Sequence, residues 1–146
     1  NEDSRALLSL ALNSLYALDT LKKPQKVVKP AFELRLMCLT GFAPMMENCA
    51  VCGEEFPENA RFNVTQGVLH CAACREHIPG GISMPVSPGT LAAVRHITRC
   101  DMRKLFSFTA SEETLGELGD VSEAYIHAQL DRGFHTLDFY KGLFAL

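Results

Sequence analysis

Two Cys-x-x-Cys pairs, Cys49-Ala-Val-Cys52 and Cys71-Ala-Ala-Cys74, stand eighteen residues apart, and nothing else in the chain restricts its fold as strongly. Two intervening residues let one tight turn aim both thiolates at a single ion, and two such pairs supply a tetrahedron. The expected cofactor is one structural Zn²⁺ held by Cys49, Cys52, Cys71 and Cys74. Four protein ligands leave no open position for water, so no Lewis-acid chemistry is expected. Gly53 follows the first pair, where the turn favours a positive φ that glycine adopts cheaply. Arg75 holds the equivalent place after the second pair, which predicts a less relaxed turn. Four thiolates also suit iron, so a rubredoxin-like redox or electron-carrier module is the alternative. His70 and His77 flank the second pair, and one of them replacing a cysteine as ligand is a further option.

The segment between the pairs reads as a hairpin. Residues 60–64 have strand character, Thr65-Gln66-Gly67 is a turn, and Val68-Leu69-His70 runs into Cys71. A two-stranded hairpin is not stable alone, so the metal is expected to supply folding free energy. Other uses of the cysteines fit poorly. No signal peptide opens the chain and six cysteines in 146 residues is not dense, so a secreted disulfide framework is not expected. Asn63-Val64-Thr65 matches a glycosylation acceptor, but a three-residue match is weak. Cys38 reads as a core residue, and Cys100 as the partly exposed end of a helix.

Around this insert the sequence is helical. Leu8, Ala11, Leu12, Leu15 and Leu18 recur at three- and four-residue steps, predicting an amphipathic helix over residues 3–20 capped by Asp3 or Ser4. Lys22, Lys23, Lys26 and Lys29 share a stretch with Pro24 and Pro30, which predicts a loop: a solvated linker or a phosphate-contacting one. Pro30 then opens a strongly apolar helix that ends at Gly41. Residues 78–86 read as an irregular crossing. Ser87 and Pro88 start a third helix with Leu91, Val94, Ile97 and Thr98 inward. Arg95 and Arg99 fall on one face of it, and with Arg103 and Lys104 they form the second basic cluster, a candidate phosphate-contacting patch beside the lysines or a plain charged helix face. Thr109 to Glu112 has capping-box spacing, so a short helix should run to Leu118, where Gly119 breaks it. A longer one should reach Arg132, and Gly133 should stop or kink it before an aromatic-rich end that needs a docking place.

The fold class is therefore mainly α: a helical bundle, one domain over residues 1–146, with a two-stranded zinc ribbon inserted at about 47–78. No run of eighteen apolar residues exists, so no membrane span is expected. Net charge is −3, so any nucleic-acid binding must use local patches. No metalloprotease, nucleophile-elbow, Walker or dinucleotide motif is present, and no enzymatic turnover is expected. The chain starts without methionine and is expected to be part of a longer protein.

The order of parts resembles the recombination mediator family RecO. Phe32-Glu33-Leu34-Arg35-Leu36, then Gly41-Phe42-Ala43-Pro44, the two cysteine pairs, Ser87-Pro88 and a terminal amphipathic helix carry the likeness, which covers essentially the whole chain. It corresponds to that family's C-terminal helical and zinc-ribbon region. The family's N-terminal OB fold, its main DNA-binding element, has no counterpart here. The resemblance implies a bacterial, cytoplasmic, non-enzymatic DNA repair protein. It implies contacts with RecR, with the acidic tail of single-strand DNA-binding protein (SSB) and with single-stranded DNA, supporting strand annealing and RecA loading. The tail would need an apolar pocket rimmed by Lys or Arg, which Arg95 and Arg99 could provide.

Overall fold

The structure, a computed structural model, describes residues 1–78 and 80–144, with side chains as far as residue 132. In chain order it comprises α1 (Glu2–Asp19), α2 (Gln25–Leu39), β1 (Arg61–Asn63), β2 (Val68–His70), β3 (Ser83–Pro85), α3 (Pro88–Arg99) and α4 (Glu112–Phe144). The architecture is mainly helical, with the cysteine ribbon between α2 and α3. Helix α2 is the central rod and packs against α1, α3 and α4. Its Arg35 donates to the carbonyls of Ile97 (2.8 Å) and Cys100 (2.7 Å), closing the C-terminal end of α3. At the other end of α3, the Ser87 hydroxyl accepts from the Thr90 N–H, as the sequence predicts.

The hairpin is present, and a third strand joins it. β1 pairs antiparallel with β2 and, on its other edge, with β3, giving the order β2-β1-β3. The crossing over residues 78–86 thus contains a strand. Three residues ending in Pro85 carry no alternation long enough to read. Gly67 closes the hairpin turn at φ +72, and a Cβ there would sit 3.1 Å from the Tyr125 hydroxyl. Asn63 is buried; its amide donates to the Gly80 carbonyl and accepts from the Gln66 N–H, so it is no glycan acceptor in the fold.

Ribbon and bundle share one core. Phe62, Val64 and Leu69 belong to the same buried cluster as Leu10, Leu34, Val94 and Leu118. Tyr125 of α4 joins the two: its ring lies 5.3 Å from Phe62 and its hydroxyl donates to the Phe42 carbonyl at 2.6 Å. Burial pushes the Tyr125 phenol up to about 12, so it remains a donor throughout the neutral range. Tyr125→Phe should therefore cost about 1 kcal/mol, because the part-buried bond to the Phe42 carbonyl is lost. A urea titration should show a lower midpoint at unchanged slope.

Four local expectations need correction. The cap of α1 is Asn1, which accepts from the Ser4 N–H, and not Asp3 or Ser4. The face α1 buries is Leu10, Ser14 and Ala17, whereas Leu8, Leu12, Leu15 and Leu18 are exposed. Periodicity finds a stripe but does not say which side meets a neighbour. Helix α2 starts at Gln25, so Lys26 and Lys29 lie on a helix, and Pro30 sits inside it. Burying Val28, Pro30 and Ala31 outweighs the one backbone bond that proline forfeits. Residues Glu112–Phe144 form one helix, so Gly119 and Gly133 do not interrupt it; glycine weakens a helix by about 1 kcal/mol, and packing of Leu115, Leu118 and Val121 exceeds that. Its cap is Ser111, which accepts from the Thr114 N–H. The side chains of the aromatic-rich end, from Phe134 on, lie outside the described residues.

Candidate metal centre

The first cysteine turn is built by backbone bonds. The Gly53 N–H donates to the Cys49 carbonyl (3.0 Å) and the Cys49 N–H to the Glu54 carbonyl (2.8 Å). Gly53 takes φ +80, as the spacing predicts. The Ala50 N–H donates to the Leu69 carbonyl at 2.8 Å, which fixes this turn to β2. The second pair takes another form. Cys71 follows β2 directly and residues Ala72–His77 make a 3₁₀ turn, so Arg75 needs no positive φ.

These turns bring the Sγ atoms of Cys49, Cys52, Cys71 and Cys74 within 4.8 Å of one another. Four sulfurs 2.3 Å from one ion in a tetrahedron would lie about 3.8 Å apart, so the cluster fits an ion with little adjustment. The Cys52 and Cys71 sulfurs are 3.5 Å apart. Backbone N–H groups of Val51 and Cys71 both point at the Cys49 sulfur at 3.4 Å, an arrangement suited to a thiolate. Burial alone would raise the Cys49 thiol, but the backbone donors of Cys52, Cys71 and Val51 bring it down to about 6. Cys71 is pushed up to about 12 by burial and by its S–H bonds to the Cys52 and Cys49 sulfurs, and Cys74 is raised as well. Without a cation these surroundings favour a thiolate at Cys49 and thiols at Cys71 and Cys74. A divalent ion is what lets all four ionise.

Both flanking histidines stand apart from the cluster. The His70 Nδ1 lies 2.8 Å from the Cys71 carbonyl, which only accepts, so Nδ1 carries the proton and Nε2 accepts from the Ser83 hydroxyl at 2.8 Å. His70 is thereby a buried strut between β2 and β3. His77 is outside the sulfur cluster.

The basic residues fall in several places. Arg95 and Arg99 line one groove of about 960 Å³ between the ribbon and α3, together with Phe56, Ala60, Arg61 and Leu91. Arg95 is buried at its floor. Its guanidinium donates to the carbonyls of Met46 and Glu47, each at 2.9 Å, and of Glu55, and lies 5.1 Å from the Phe56 ring. Arg99 is at the rim, paired with Glu47. Arg103 and Lys104 occupy a 3₁₀ turn outside the groove, where Arg103 holds the Asp101 carboxyl below its usual range. Lys26 pairs with Glu112, and Lys29 with Glu33 and Glu123, so both serve the α2–α4 contact. Lys22 and Lys23 occupy the α1–α2 link, Lys22 exposed and Lys23 half-buried. Phe56, which is exposed, and Arg61 complete the groove; no motif in the sequence announces them.

A helical domain whose core continues into a small ribbon bearing four clustered cysteines defines the class: a mainly helical domain with a candidate metal centre in its ribbon. The family profile described as Recombination protein O C terminal (RecO_C) matches residues 1–138. The DNA repair protein RecO of Acetivibrio thermocellus is 36% identical over 144 residues, covering 98% of this chain and 56% of that protein. The RecO of Rubrobacter xylanophilus is 38% identical over 108 residues, covering 70% and 43%, and that of Caldicellulosiruptor saccharolyticus 30% over 141 residues, covering 97% and 54%. The chain belongs to the RecO family and corresponds to its C-terminal region. It spans about half the length of the curated relatives it matches.

Proposed function

We propose that this chain is the non-enzymatic interaction module of a bacterial, cytoplasmic recombination mediator. Through contacts with RecR, the SSB tail and DNA it supports single-stranded DNA annealing and RecA loading. The family match over residues 1–138 carries the proposal. The four-sulfur cluster supports it, because a closed sphere holds structure and leaves no site for a reacting water. The ion is zinc, and the helical domain over residues 1–146 carries the ribbon as its insert. Among the described residues no helix is long and apolar enough to cross a membrane.

The groove beside α3 suits a short peptide that ends in an apolar side chain and carries acidic residues. Leu91, Ala92 and Pro57 give it apolar walls, and Arg99 and Arg61 supply cations at its sides. Glu55, Glu58 and Glu117 also line it; the Glu117 carboxylate accepts from the Ser87 N–H at 2.7 Å and is tied to the first turn of α3. Single-stranded DNA would meet Lys22, Lys23 and Lys104, which lie outside the groove, with Lys26, Lys29 and Arg103 already paired to carboxylates. A labelled acidic, phenylalanine-ending peptide and a labelled oligonucleotide, titrated separately at several salt concentrations, separate the two modes. Arg99→Glu should weaken the peptide roughly tenfold or more and leave the oligonucleotide nearly unchanged. Lys22→Glu with Lys23→Glu should flatten the salt dependence of the oligonucleotide instead. Peptide affinity that ignores Arg99→Glu would remove the groove from the proposal.

A further inference from the structure

The four sulfurs do not share one environment. Cys49 is 3% exposed, and its sulfur already receives the Val51 and Cys71 N–H groups. Cys71 and Cys74 are half-buried, and Cys52 is exposed. The Cys52 sulfur lies 3.5 Å from that of Cys71. An accessible sulfur beside a second one is the arrangement of an oxidation-sensitive cysteine and its resolving partner. Both cysteine turns also border the groove along α3. Glu55 and Phe56 line it just after the first pair, and Ala72 lines it directly after Cys71. The Cys49 N–H donates to the Glu54 carbonyl at 2.8 Å, and the Phe56 N–H to the Glu54 carboxylate at 3.2 Å. Only a few bonds separate the sulfurs from the groove wall.

We propose that the cysteine centre is a redox switch, in which Cys52 and Cys71 form a disulfide under peroxide and loosen the ribbon side of the groove. The inference rests on a metal ion held by the cluster and not on the partners proposed above. The Cys52 sulfur attacks one oxygen of hydrogen peroxide and the O–O bond breaks. Cys52 becomes a sulfenic acid, and the departing oxygen takes up a proton and leaves as water. The Cys71 thiolate then attacks the Cys52 sulfur. An S–S bond forms, the S–O bond breaks, and the hydroxide leaves with a second proton as water. Each of the two sulfurs gives up one electron, and the peroxide takes both. Cys49 and Cys74 alone supply two ligands where a structural ion takes four, so the ion is released. The three-residue strands behind the groove wall then lose the support that metal binding gives them. The disulfide keeps the two turns tethered, so a thiol reductant and zinc together reverse the change.

The test uses the 146-residue chain purified with its metal. Hydrogen peroxide should release zinc to a chromogenic chelator at least about tenfold faster than buffer alone. Peptide mass mapping should find Cys52 joined to Cys71. Cys38→Ala with Cys100→Ala removes the two cysteines outside the cluster and should leave the release rate at the parental value. The chain has no tryptophan, so Phe56→Trp places a single fluorophore on the groove wall. Its anisotropy should fall on oxidation and recover with dithiothreitol and zinc. If Phe56→Trp does not fold, proteolysis of the parent chain between residues 54 and 59 reads the same opening. Zinc retained through peroxide treatment would overturn the switch and leave the metal centre standing. A folded chain that binds no metal ion would overturn both. Sulfinic or sulfonic acids in place of the disulfide, or a failure to recover, would mean damage and would overturn the switch. A disulfide formed with unchanged anisotropy and proteolysis would overturn its link to the groove.

Discussion

Cys49→Ser and Cys71→Ser should each abolish metal retention and cooperative melting. The strands of the ribbon are three residues long, and a sheet this small does not hold itself together in water. Structural zinc contributes on the order of 10–16 kcal/mol in isolated metal-folded peptides. The net stability of a whole domain is only about 5–15 kcal/mol. Losing one thiolate therefore removes an amount comparable to everything that keeps the domain folded. The damage should not stay local, because Phe62 and Leu69 lie in the same core as Leu34 and Leu118. Metal analysis of the purified chain should give one zinc per molecule and a colourless solution, and a strong chelator should reproduce the effect of the substitutions. A red, iron-containing protein would favour the electron-carrier alternative. A serine variant that melts cooperatively near the parent temperature without metal would show that the ribbon folds on packing alone.

Residues whose duties are local were legible in the sequence. The cysteine pairs, Gly53 and Ser87 each act within a few positions of themselves, so spacing and residue type suffice to place them. The outward stripe of α1 was not legible, since the same period describes a buried face and an exposed one. Strand β3 was missed because three residues ending in proline show no alternation; its pairing with β1 comes from register across twenty residues and more of chain. Pro30 and Gly119 look like helix breakers, and their local penalties of about 1–3 kcal/mol are smaller than what burying their neighbours returns. His70 resembled a spare ligand beside Cys71, yet its ring nitrogens are directed at the backbone and at Ser83. The centre itself was foreseeable, whereas the way the bundle grips it was not.

That grip is Arg95. From the sequence it is one more cation on a basic helix face, alongside Arg99. In the fold the two arginines have different duties, though they stand four residues apart. Arg95 is 7% exposed and donates to the carbonyls of Met46 and Glu47 ahead of the first cysteine turn and of Glu55 behind it. One planar guanidinium thereby fixes both flanks of the Cys49–Cys52 turn to α3. Arg95→Ala should cost about 3–5 kcal/mol, because three inward-facing carbonyls lose their donor together. Lysine should restore less than half of this, since a single ammonium on a flexible stem does not reproduce the fork. Arg99→Ala, which removes only an exposed pair with Glu47, should cost about 1 kcal/mol or less. Urea midpoints of the three variants, with the rate of zinc loss to a chromogenic chelator, measure the difference. Zinc should leave Arg95→Ala fastest, because the turn presenting Cys49 and Cys52 is then free to open. Equal midpoints for Arg95→Ala and Arg99→Ala would mean that the sulfur-bound ion holds the turn without help from α3.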